Sequence, residues 1–207
     1  MSERVASERA EAACALLGRT LGAHRTVIGK MVHSREGRRL GSASFDRQEM
    51  QRHATFMRLL SITEAFCADR LLTEVEGLVE PGRDVVVSKV WADAAVGATG
   101  NWVDQQRRYK DWLDVKIDWK PIDQVAEGRN AIAHGLGSLT RRQLRSDVKT
   151  RAALKAAGIE LVGDRLNLTE TTLVRIAAIC RETVLRVDAA VDGRPRGLAG
   201  VTAPIAP

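Results

Sequence analysis

The sequence predicts an all-α fold, a helical bundle interrupted by one small β-hairpin before the last helix, and three observations carry that expectation. Between Phe45 and Val79, Met57, Leu60, Cys67, Leu71, Val75 and Leu78 recur at helical steps, which puts them on one face of a long helix. Runs rich in Ala, Leu, Glu and Arg fill much of the remaining chain and end at glycine, proline or asparagine. Two short alternating runs flank Gly163-Asp164 in "IELVGDRLNLT", the pattern of a tight hairpin.

In chain order, residues 2 to 33 predict a helix with Ser2 as its cap, weakened by Gly18, Gly22 and Gly29, and "SREGRRLGSAS" predicts a loop. The long helix follows and ends at "EPG". Another helix is expected over 83–95, broken by "GATGN", then one over 102–117 that is rich in Trp and basic residues. Pro121 suits the first turn of the next helix, which runs to Gly135. A basic stretch leads to the hairpin, and Thr169 caps a last helix that ends near Val191. The expected organisation is an N-terminal helix and loop over 1–44, a helical domain over 45–192 and a loose tail over 193–207.

At 207 residues, with 44% hydrophobic and 28% charged residues, the composition is that of one folded globular domain. No run approaches the ~18 apolar residues of a membrane span, and "MSERVASERAEAA" carries charges where a secretory signal needs apolar residues. A cytoplasmic protein with no membrane partner is expected. Cys14, Cys67 and Cys180 are odd in number and sit among apolar helical residues, so buried thiols are expected, with no metal site and no cofactor. The net charge of +6 and pI near 9.6 favour a polyanionic partner.

The helix from Pro121 to Gly135 carries the most informative stretch, "EGRNAIAHGLG". At about 100° per residue, Ile122, Val125, Ala126, Ile132, Ala133 and Leu136 gather on one side, with Arg129 in its middle. A guanidinium there is costly unless it is paired or meets an anion. Asp123, Glu127, Asn130 and His134 form a polar stripe beside it, and Gly135 and Gly137 stop the helix just after His134.

"RNAIAHG" resembles the arginine-four-residues-histidine signature of the HEPN-domain family, in which the residue after the arginine is typically Asn, Asp or His. Its place near the end of a late helix, followed by a loop and a C-terminal helix, also matches that family. The resemblance covers residues from about 45 to 192 and implies a homodimeric all-α bundle whose two motifs meet in one cleft. It implies a metal-independent endoribonuclease acting on RNA, of the kind that serves as a bacterial toxin or phage-defence effector, with an antitoxin or defence-complex partner. Some toxins of the family carry a modifiable tyrosine two residues after the histidine; that position is Leu136 here, so neutralisation by that route is not expected.

Metal-free RNA cleavage needs a base for the 2′-hydroxyl, an acid for the leaving oxygen and a cation for the phosphorane. The resemblance gives His134 the acid or base role, Arg129 the phosphate, and Asn130 the orientation of imidazole or phosphate. Glu64 falls inside the apolar stripe of the long helix and needs a partner, for which Arg129 is a candidate; Glu64 and Glu127 are thus the expected supporting residues. Arg141, Arg142, Arg145 and Lys149, with Arg151 and Lys155, follow the motif directly and suit phosphates leading from the cleft. Trp102, Tyr109 and Trp112 mix with basic residues, but their steps of seven and three suit core or interface packing better than base stacking. His24, His33 and His53 are read as structural. Two other readings fit the same residues, a non-catalytic RNA-binding module and a protein-interaction subunit.

Overall fold

The structure is a computed structural model, and it describes residues 6–33, 47–79 and 84–193. Among these residues it is helical apart from one two-stranded antiparallel sheet. Helix α1 (Glu8–His33) starts at Ser7, whose Oγ accepts the Ala10 N–H at 3.2 Å. Ser2, the loop over 34–44 and the tail beyond 193 lie outside the described residues, and so does the His33 side chain.

Helix α2 (Arg47–Val79) turns Phe56, Leu59, Leu60, Phe66, Cys67, Leu71 and Val75 inward. It packs against α1 and against α8 (Glu170–Asp192), and α1 adds Ala10, Ala13 and Leu17 to the same core. Thr169 caps α8 as its position suggests, accepting the Thr172 N–H at 3.1 Å.

Helix α3 (Val85–Thr99) is capped by Asp84, which accepts from Val86 and Val87. It runs past the glycine of "GATGN" that the sequence suggested as its end. Gly97 is exposed there, and a helical glycine costs only about 1 kcal/mol, a penalty that the burial of Ala98 opposes. Helix α4 (Trp102–Leu113) is shorter than its sequence pattern, because Asp114 takes a left-handed conformation at φ 51° and closes it with bonds to the Lys110 and Tyr109 carbonyls.

Helix α5 (Lys120–Gly135) has Pro121 in its first turn. The basic stretch divides into α6 (Arg141–Arg145), with a Thr140–Gln143 capping box, and α7 (Asp147–Ala157). Strands β1 (Glu160–Val162) and β2 (Arg165–Asn167) pair about Gly163, whose φ of 62° is the left-handed value a tight hairpin turn requires. This hairpin braces the turn after α5: Leu166 N–H donates to the Gly137 carbonyl and Leu139 N–H to the Asp164 carbonyl, both at 2.8 Å. The end of the motif helix is thereby fixed by chain that follows it.

Cys67 and Cys180 are buried and Cys14 is half-buried, all three as free thiols. None of the helices among the described residues is long and apolar enough to cross a membrane.

Candidate functional site

The buried residues of α5 are Ile122, Val125, Gly128 and Ala131, while Ala133 is exposed and Leu136 is 85% exposed. The core-facing side is therefore rotated away from the one that the apolar spacing indicated, and Arg129 stands at its edge, not in its middle. Gly128 is the reason. A methyl group on it would lie 2.9 Å from both Phe56 Cζ and Ile159 Cδ1, so the missing side chain lets α5 approach α2 and the segment before β1. Counting glycine as a non-core residue hid this face.

Arg129 points towards α2. One of its terminal nitrogens lies 3.8 Å from Glu64 Oε1, close enough for an ion pair and too long for a hydrogen bond. Glu64 is half-buried at the edge of its stripe, so the expected pairing is present, in a partly solvated form worth at most about 1 kcal/mol. The two side chains share a polar cleft of about 190 Å³ with Ala65 and Ala68 of α2 and with Thr99, Gly100, Asn101, Trp102 and Gln105 of the α3–α4 corner.

Asn130 is half-buried and His134 exposed, and neither side chain makes a hydrogen bond to a described residue. The helix ends on Leu136, which takes the left-handed φ of 52° usually left to glycine or asparagine, followed by Gly137 at φ 90°. Glu127 does not reach Arg129 or His134 by any contact. Gln143 claims it, donating from Nε2 to both its backbone oxygen and its carboxylate at 2.8 Å, and so ties α6 to the motif helix.

Arg141, Arg142, Arg145, Lys149 and Lys155 are exposed on α6 and α7, where none of them pairs with a described acid. Arg151 differs: it bonds Asp147 at 2.7 Å, the Gly163 carbonyl at 2.9 Å and the Asp164 carboxylate, so it holds the hairpin. No group of three His, Cys, Asp or Glu able to hold a metal ion occurs among the described residues.

Among the aromatic residues, Tyr109 is core: it is fully buried and donates its hydroxyl to the Cys67 carbonyl at 2.7 Å. Trp102 is half-buried in the cleft wall, with its Nε1 donating to Asp123 at 3.0 Å and its ring edge-to-face with Trp119 at 5.4 Å. His24 is structural, with Nδ1 2.9 Å from Thr55 Oγ1 and Nε2 3.3 Å from Glu170.

His53 has a closer relation to the site than the sequence suggested. Its ring lies against Gly137, where an added Cβ would meet His53 Cε1 at 2.6 Å, and its Nε2 is 3.8 Å from Glu49. Burial lowers its pKa from the ordinary value, with Glu49 opposing the shift. The four-residue Glu49–His53 spacing was the signal in the sequence, but only the fold brings it under the motif turn.

No family model, curated protein or solved structure matches this chain. Function is therefore argued from its own residues.

Proposed function

We propose that this protein is a metal-independent endoribonuclease of HEPN type, cutting single-stranded RNA by attack of the 2′-hydroxyl on the adjacent phosphate. The observation that carries this reading is the arrangement at the end of α5, where Arg129 has only a loose ion pair, Asn130 has a free amide and His134 is open to solvent. These are three polar groups that packing leaves unused. In the reaction Arg129 binds the phosphate and stabilises the phosphorane, His134 transfers a proton and Asn130 orients the one or the other.

Arg129 and His134 are five residues apart, about 140° around the helix axis, and so they leave α5 in different directions. A homodimer resolves this, with Arg129 of one protomer and His134 of the other facing a shared phosphate. The exposed basic residues of α6 and α7 then extend the phosphate track on each side. As a cytoplasmic toxin or phage-defence effector, such an enzyme also needs an antitoxin or complex partner to restrain it.

A second reading, a protein-interaction subunit, is favoured by one feature. Val75, Leu78, Val86, Val87, Val90, Trp91, Ala94 and Trp112 line an apolar groove of about 480 Å³, and Leu78, Val86 and Val90 are each more than half exposed.

The deciding experiment incubates mixed cellular RNA with the protein in excess EDTA, wild type beside His134→Ala, and identifies the fragment ends. Fragments ending in 2′,3′-cyclic phosphate, lost in the variant and never formed from DNA, are expected. Equal cutting by the variant would refute the role of His134, and no cutting by either would favour the interaction subunit.

A further inference from the structure

Phosphate binding accounts for Arg129 but not for the rest of its cleft. Gln105 in the cleft wall is 3% exposed. Its Nε2 donates to the Glu64 carbonyl at 3.2 Å, which fixes the orientation of the amide, and its Oε1 is buried with no hydrogen-bond partner among the described residues. A buried amide oxygen without a donor is costly, so its place beside a cleft calls for a ligand that donates to it.

The other polar residues narrow the chemistry. Asn101 is occupied in capping α4, and Thr99 donates to the Ala95 carbonyl, so neither offers much to a ligand. What remains is two acceptors, the Glu64 carboxylate and Gln105 Oε1, one forked donor, Arg129, and the indole of Trp102. The cleft is smaller than the about 300–1,000 Å³ of pockets for drug-sized molecules, which suits a single ring system.

Unstacked bases of single-stranded RNA are bound by aromatic side chains and read on their edges. Uracil offers one donor between two acceptors, and adenine and cytosine offer one amino group each. Guanine alone offers two adjacent donors, N1–H and the 2-amino group, beside the O6 and N7 acceptors that arginine reads as a fork. Two acceptors and one forked donor match guanine.

We infer that the cleft between α2, the α3–α4 corner and α5 is a guanine-binding pocket that selects the nucleotide held beside the scissile phosphate. Glu64 and Gln105 accept from N1–H and the 2-amino group, Arg129 reaches O6, and Trp102 supports the ring. The 3.8 Å Arg129–Glu64 separation leaves hydrogen-bonding capacity on both groups for the base. The selective role rests on the ribonuclease reading; binding of the base does not.

The test is calorimetric titration of the whole protein with the 3′-monophosphates of guanosine, adenosine, cytidine, uridine and inosine, the last lacking the 2-amino group. Cleavage ends are mapped in parallel. The guanosine nucleotide should bind at least about ten-fold more tightly than the other three standard nucleotides, and inosine should lose roughly ten-fold against it. Gln105→Leu, checked for an unchanged melting profile, should reduce the guanosine preference to below about three-fold. Equal binding of the four standard nucleotides overturns the proposal, and so does equal binding of guanosine and inosine nucleotides, a comparison that needs no variant. Guanosine-selective binding without RNA cleavage would keep the pocket and refute the ribonuclease; cleavage with no guanosine-selective binding would do the reverse.

Discussion

The carboxylate of Asp188 on α8 accepts a hydrogen bond from Arg70 Nε on α2 at 3.1 Å, deep inside the bundle. Ser7 completes the arrangement, donating its backbone N–H to Oδ2 at 2.8 Å and its hydroxyl to Oδ1 at 2.7 Å. Arg70 also bonds Glu74 at 3.0 Å and Asp192. One buried carboxylate thus ties the start of α1 to α2 and α8. Asp188→Ala leaves the Arg70 charge short of its buried partner and should cost about 3–5 kcal/mol, read as a lowered urea midpoint. A loss below 1 kcal/mol would mean that the network adds little.

Acid should weaken the fold through His24 and His53. Burial lowers the pKa of both from the ordinary 6.5, with Glu170 and Glu49 respectively opposing the shift. The unfolded chain therefore takes up protons first as pH falls. Stability is full above about pH 6.5 and declines from there towards the lower folded values. Urea midpoints at pH 7.5 and 5.5 should show the decline, and His24→Gln with His53→Gln should flatten it. Identical slopes for variant and wild type would assign the decline to other groups.

Gly128→Ala sets two effects against each other. Removing a glycine from a helix interior gains about 0.5–1 kcal/mol, but the new methyl group meets the fully buried Phe56 ring and the tip of Ile159 at 2.9 Å. Overpacking of that kind costs about 1–3 kcal/mol, so a net loss is expected as a lower melting temperature. A higher one would show that α5 can move away without penalty.

If the exposed cations of α6 and α7 track phosphates, Arg141→Ala, Arg142→Ala, Arg145→Ala and Lys149→Ala should each weaken RNA binding for every sequence. Each should also reduce the slope of log affinity against log salt by about 1. Arg151→Ala should instead lower stability, because its guanidinium joins α7 to the hairpin turn. Salt-independent binding of the wild type would remove the phosphate track.

Local signals made much of this fold legible. Thr169, the Gly163-Asp164 turn and Pro121 act through their immediate neighbours, and each occupies the position its chemistry suggests. The mutual need of Glu64 and Arg129 was also readable, since each interrupts an apolar pattern. Tertiary packing decided what was missed. The face of α5 turns on a glycine that matters only because Phe56 and Ile159 approach it, and Arg70 and Asp188 stand 118 positions apart with nothing in either neighbourhood to announce the other. His53 and Gly137 became neighbours in the same way, and Gln105 gained its meaning only as the wall of a cleft.

The hairpin that braces Gly137 has a consequence for biosynthesis. The turn behind His134 receives its hydrogen bonds from Leu166 and Asp164, which leave the ribosome only after α6 and α7 have been made. At roughly 5–20 residues per second, the unfinished chain spends on the order of seconds with the motif translated but its turn unbraced. Closure of the α1–α2–α8 bundle comes later still, because Ser7 waits for Asp188. A protein that acts on RNA would thus complete its site only on release, clear of the ribosome and message that produced it.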